Sequence, residues 1–271
     1  MNIVARHRFG PVQAFQLGYG PIGPPLMSVY CYLVDDVLID TGQRRMQAAL
    51  AAMLAATPIR KILLTHHHED HSGNAAAISR RFQAPVHAHP LAAAKMQNGY
   101  SIRLYQHVVW GKAEPTAVLP PDPIVATAHG VLTPLHTPGH SKDHVVYYDR
   151  QNGRLFSGDL FIGERIKFFR SDERLHDQIA SLHTVLALDF DALFCGHNPC
   201  PVHGKRRLAN KLAFLEEFRG RVAQMKNRGL SQAQVVRELD RGQDRLVKWI
   251  TMGNASFANM VGSAYGAARQ G

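Results

Sequence analysis

Short apolar runs, broken by Gly, Pro and Asp, recur along the 271-residue chain, and their period shifts between two and that of a helix. The segments "NIVARHRFG", "VQAFQLG", "VYCYLV" and "VLIDTG" read as strands, with the Gly/Pro-rich "YGPIGPP" and the pair Asp35-Asp36 supplying turns. Gln43 to Ala56 is alanine-rich and free of Gly and Pro, which predicts a helix that ends before Pro58. "IRKILLT" follows as a buried strand, Gly73–Arg81 as a helix and "APVHAH" as a short strand. Residues 99–123 have no clean period and read as an irregular excursion over the surface. Strands resume at "VLTPLHT", "HVVYYD" and "RLFSGD"; a helix is expected over Leu175–Leu188, then the strand "DALFCG". From Lys205 the pattern is helical almost to the end, with a break at Asn227–Gly229 and a capping box from Ser231 to Gln234. Two successive strand-rich groups, each followed by helices, predict an α/β domain over 1–204 and a helical extension over 205–271.

Composition narrows the class. A hydrophobic content of 45% with 19% charged residues excludes a disordered or fibrous chain. No apolar run approaches the roughly 18 residues of a membrane span. The start "MNIVARHRFGPVQAF" lacks the apolar centre of a secretory signal, so a cytoplasmic protein is expected. Cys31, Cys195 and Cys200 are too few and too irregularly spaced for a disulfide framework and read as idle thiols. The net charge of +10 fits a nucleic-acid surface or an anionic substrate, but much of it lies in the C-terminal third with acids interleaved. Solvated helix faces explain it better.

The chemistry concentrates in "KILLTHHHEDHSGN", where a hydrophobic strand ends in His66, His67, His68, Glu69, Asp70 and His71. In extended backbone, residues two apart share a face, so His66 and His68 point to one side. A helix starting near Asp70 would bring Asp70 and His71 to the same spot. Three later strands end in the same way: His140 follows a Pro-Gly turn, Asp159 follows Gly158, and His197 follows Gly196. Imidazole and carboxylate are the donors zinc accepts. A short carboxylate at Asp159 is placed to bridge two cations. His67 and Glu69 are expected to point away, and His136, His144 and His203 to take packing or supporting roles.

The ordered set His66-x-His68-x-Asp70-His71, then His140, Asp159 and His197, resembles the dinuclear site of the metallo-β-lactamase fold superfamily, over about residues 28–200. The resemblance implies a four-layer αββα sandwich with two divalent metals at one edge of the sheets. Zinc is the first choice of metal, with iron and manganese as alternatives. It assigns His66, His68 and His140 to one metal, Asp70, His71 and His197 to the other, and Asp159 to the bridge. The paired cations would activate a shared water and polarise a carbonyl or phosphoryl oxygen. Asp70 would orient that water and carry its proton.

Within the superfamily, "LTHHHEDHSGN", "FSGDLFIG" and "FCGHNP" are similar to hydroxyacylglutathione hydrolases (glyoxalase II). "GERIKFFR" resembles that family's Gly-Lys-Phe-Tyr segment, which makes Lys167 the expected substrate contact, with Phe169 in place of the tyrosine. The family's basic pair and Asn-Pro-aromatic terminus are missing from "LVKWITMGNASFANMVGSAYGAARQG". The extension therefore reads as a divergent cap. Its apolar residues Trp249, Met252, Phe257 and Met260 either pack helices, the preferred reading, or line a pocket. A small ester or thioester is the expected substrate. A lactonase, a mononuclear iron persulfide dioxygenase and a nucleic-acid phosphodiesterase are the alternatives, and homodimerisation is left open.

Overall fold

Two sheets form the centre of the computed structural model, which describes residues 1–266. The first sheet holds β1 (Ile3–Phe9), β2 (Val12–Gly18), β3 (Val29–Val34), β4 (Val37–Ile39), β5 (Lys61–Leu63) and β6 (Val86–His87), in chain order. β7 (Val125–Thr127), β8 (Gly130–His136), β9 (Val145–Asp149) and β10 (Arg154–Gly158) belong to the second. That sheet is completed, after the two-residue β11 (Phe169–Arg170), by β12 (Ala192–Cys195), in the order β12-β10-β9-β8-β7. β11 pairs instead with β13 (Ala255–Ser256), which ties the C-terminal region to the loop after β10. The pairs β4–β5, β5–β6 and β10–β12 are parallel and the others antiparallel.

Side-chain alternation sorts the core into layers. Val12, Ala14, Tyr32, Val34 and Ile39 of the first sheet meet Val145, Tyr147, Phe156 and Phe194 of the second in a shared central core. Their neighbours Phe15, Leu17, Leu33 and Leu38 turn outward against α1 (Gln47–Met53) and α3 (Ala75–Phe82). Between these helices lies the single turn α2 (Glu69–Ser72); α4 (Ala93–Asn98) and α5 (Leu104–Val109) follow α3. On the far side, Val146, Tyr148, Leu155 and Leu193 face α6 (Leu175–Leu186) and the long α7 (Gly204–Asn227). The layers are therefore helix, sheet, sheet, helix.

The helix expected over Gln43–Ala56 is shorter, because Arg44–Met46 forms a 3₁₀ turn before α1 begins. The excursion at 99–123 contains α5, a helix too short to show a period. Beyond α7 come α8 (Gln232–Leu239), α9 (Arg245–Ile250) and α10 (Phe257–Tyr265). Ser231 caps α8 with the expected reciprocal bonds to Gln234. α10 packs on α6, α7 and α8, whereas no residue of α9 is fully buried. Residues 267–271, the end of the expected extension, lie outside the described residues.

Candidate metal centre

The carboxyl ends of β4, β5, β8, β10 and β12 lie along one edge of the sandwich, so the segments that follow them meet there. Hydrogen bonds between the sheets hold the edge together: Tyr30 N donates to Gly196 O at 2.7 Å and Val145 N to Thr65 O at 2.7 Å. Past β5 the chain stays extended through His68, then turns once in α2. This change of period aims His66 and His68, then Asp70 and His71, at a common point. All four are buried. His140, Asp159 and His197 arrive from the other sheet.

The donor atoms form three overlapping groups, each with its atoms within 4.8 Å of one another: the ring nitrogens of His66, His68 and His140; a carboxylate oxygen of Asp70 with ring nitrogens of His71 and His197; and, between them, a carboxylate oxygen of Asp159 with ring nitrogens of His66 and His71. His68 Nδ1 and His140 Nε2 stand 3.0 Å apart. Asp159 Oδ2 lies 3.4 Å from both His140 Nε2 and His197 Nε2, and its Oδ1 3.3 Å from His71 Nε2. Asp70 Oδ2 lies 3.5 Å from His197 Nε2 and 3.9 Å from His71 Nε2. Two nitrogens bound to one tetrahedral zinc stand roughly 3.3 Å apart, so these separations fit shared ligation. His66 Nε2, His71 Nε2 and Asp159 Oδ1 are buried with no hydrogen-bond partner. Buried polar atoms are otherwise almost always paired, and this donor set is the kind that borderline divalent cations take.

Supporting contacts fix which nitrogen faces inward. Asp40, held at φ +57° just after β4, accepts from Thr65 N at 2.8 Å, Thr65 Oγ1 at 2.8 Å and His71 Nδ1 at 2.8 Å. His71 therefore carries its proton on Nδ1 and turns the Nε2 lone pair to the centre. His197 Nδ1 donates to Ser28 O at 2.8 Å with the same result. His144 accepts from Asp159 N at Nε2, 3.1 Å away, while its Nδ1 pairs with Thr137 Oγ1. Burial pushes His144 down to about 3, so it acts as a neutral acceptor. Two glycines make room: a Cβ on Gly196 would strike His71 Cε1 and sit 2.7 Å from Asp159 Oδ1, and one on Gly158, at φ +46°, would sit 2.7 Å from Thr65 Oγ1.

Burial, then neighbouring charges, hold His66 and His68 well below the usual imidazole value. Burial also opposes charge on His71, but Asp159, Asp40 and Asp70 outweigh it and raise that imidazole. The same contest raises His197, through Asp159 and Asp70, and raises His140, through Glu173 and Asp159. The three raised imidazoles report a negative potential, which stabilises any cation placed there.

The other expected residues fall differently. His67 turns away, its Nδ1 bonded to Asp143 Oδ1 at 2.8 Å and its Nε2 3.0 Å from Lys95 Nζ. Glu69 is buried and accepts from the Gln106 amide; burial, then Asp70, raises it to about 7. His136 stacks on His89 and His203 precedes α7 in an exposed position. Lys167 is exposed and absent from the cavity beside the donors; Arg170 takes its place. Phe169 is buried, and the alternation of β11 then turns Arg170 and Phe168 toward the cavity. Trp249 and Met252 are 79% and 66% exposed, while Phe257 and Met260 join the core around α7. α9 lines the cavity through Leu246, Val247 and Ile250, which the apolar pattern alone does not single out.

The family model of the metallo-beta-lactamase superfamily matches residues 24–197. The chain belongs to that superfamily. A superfamily member of Bacillus subtilis, the probable metallo-hydrolase YybB, is 33% identical over 198 residues, covering 70% of this chain and 86% of that one. The hydroxyacylglutathione hydrolase of Rhodopseudomonas palustris is 31% identical over 183 residues, 65% of each chain. Among solved metallo-beta-lactamase-fold structures, TTHA1623 in a di-iron-bound form shares 29% identity at a TM-score of 0.54, covering 69% of this chain and 96% of that one. The match spans only 49–62% of the length of three other curated relatives. The superfamily binds divalent metals, and the His/Asp cluster is this chain's candidate site for them. No helix among the described residues is long and apolar enough to cross a membrane.

Proposed function

We propose that the protein is a dinuclear, zinc-preferring hydrolase of a small ester or thioester. The observation that carries the reading is the cluster of three overlapping donor groups, in which His66 Nε2, His71 Nε2 and Asp159 Oδ1 are buried with no protein partner. His66, His68 and His140 would hold one cation, Asp70, His71 and His197 the other, with Asp159 between them. Two such cations supply a nucleophilic water at neutral pH and a Lewis acid for the substrate carbonyl.

The chain's own side chains do the rest. Asp40 and the Ser28 carbonyl keep His71 and His197 in the tautomers that direct Nε2 inward. Asp70 lines the cavity, where its carboxylate would take the attacking water's proton and return it to the leaving group. Arg170, the only Lys or Arg lining the cavity, donates to an oxygen of the bound substrate. Apolar walls exclude bulk water and strengthen these contacts.

The same attack opens a lactone, which therefore remains within the proposal. A mononuclear iron dioxygenase needs only the first set, and the presence of Asp70, His71 and His197 in a second set argues against it. A polynucleotide would meet an apolar cavity mouth.

The test is metal analysis of the purified protein together with hydrolysis of S-lactoylglutathione and simple thioesters. Two equivalents of metal and a turnover of roughly 1–10³ per second are expected, with His140→Ala abolishing it. A single iron with oxygen uptake, or full activity in His140→Ala, overturns the reading.

A further inference from the structure

His68, Asp70, His140, Asp159 and His197 line a cavity of 290 Å³ whose remaining wall is mostly hydrocarbon, with Tyr105, Arg170, Glu173 and Thr251 as its polar members. Leu26 comes from the loop before β3, Trp110 from the end of α5, Phe168 from just before β11, and Val247 and Ile250 from α9. Four segments distant in sequence thus converge on one apolar surface. Leu26 and Leu246 also line the cavity and are 70% and 65% exposed, so it opens to solvent between them. The sole guanidinium, Arg170, lies at the donor end, with Asp172 Oδ1 3.4 Å from its Nε. A glutathione moiety carries two carboxylates and an ammonium and needs several charged partners; apart from the donors, the residues lining this cavity offer one cation, Arg170, and one carboxylate, Glu173. A hydrocarbon chain needs only apolar area.

Resting on the hydrolase reading, we infer that this cavity is an acyl-chain subsite and that the substrates are esters or thioesters of unbranched, medium-length acyl groups. At about 30 Å³ per non-hydrogen atom, the volume takes a chain of roughly eight to ten carbons. The carbonyl lies at the donor end, the chain runs between Phe168 and α9, and the alcohol or thiol part leaves through the mouth. α9 is thereby the selectivity element.

The experiment compares kcat/KM of the zinc-loaded protein on p-nitrophenyl esters from acetate to dodecanoate. It is paired with calorimetric titration of octan-1-ol, which reports chain binding without turnover. kcat/KM is expected to rise about fourfold for each methylene buried and to stop rising near the decanoate. Ile250→Trp, which fills the cavity, is expected to lower the octanoate-to-acetate ratio at least tenfold and to abolish octan-1-ol binding. A flat or falling series, or octan-1-ol binding unaffected by Ile250→Trp, overturns the subsite while leaving the hydrolase reading intact. No turnover of any ester or of the corresponding acyl thioesters, with octan-1-ol binding that Ile250→Trp abolishes, overturns the hydrolase reading and upholds the subsite.

Discussion

Replacing Asp40 with Asn changes one atom and reverses one hydrogen bond. The carboxylate now accepts from Thr65 N, Thr65 Oγ1 and His71 Nδ1, each at 2.8 Å. In Asp40→Asn the amide can keep Oδ1 toward Thr65 N, which points its NH₂ at His71 Nδ1 and Thr65 Oγ1. Relief comes only if His71 moves its proton to Nε2, and that removes the lone pair aimed at the Asp70, His71 and His197 set. Losing such a supporting partner costs about 10- to 100-fold in metal affinity, or about 1.4–2.7 kcal/mol. The loss should fall on one equivalent, because His66, His68 and His140 do not touch Asp40. Titrating zinc into the metal-free protein against a competing chelator should show one equivalent bound as in wild type and one weakened by that factor. Wild-type affinity for both equivalents would refute the argument that Asp40 sets the tautomer of His71.

Gly196→Ala drives a methyl into His71 and Asp159, so the variant should bind less metal and lose roughly 1–3 kcal/mol of stability, read by metal analysis and urea unfolding. Lys211 is buried, donates to Leu160 O at 2.7 Å and is lowered from 10.5 to about 8 by burial. Its folded value lies below its unfolded one, so the ammonium costs stability below about pH 8 and the cost fades as pH rises to about 10.5. The gap between wild type and Lys211→Met should therefore move by about 3 kcal/mol in favour of wild type between about pH 7 and about pH 10.5; a gap independent of pH counts against it. Cys31, Cys195 and Cys200 are buried, and burial raises Cys195 to about 12. A thiol reagent should label none of them until the protein is unfolded, and rapid labelling of the native protein would contradict that burial.

The candidate donors could be picked out because each lies in a segment that follows a strand whose apolar run fixes its direction, and because a strand and a helix turn each declare their own period. Asp40 and Asp143 carried no such signal: each is a single carboxylate whose partner, His71 or His67, lies far along the chain. Lys167 was expected from its place in a motif; it lies before β11 and is exposed, while Arg170, held by the pairing of β11 with the distant β13, lines the cavity. The walls of the cavity were hidden for a related reason. α5 and α9 have six residues each, too few to display a face, and their inward sides follow from where the loops set them down.

Each donor set draws side chains from both sheets: His66 and His68 are joined by His140, and Asp70 and His71 by His197. Two cations at this edge would act as rivets between the N-terminal and C-terminal halves of the sandwich. Withdrawing them would loosen the seam while the shared apolar core still joined the halves. Metal supply would then set the stability margin of the folded chain as well as its activity.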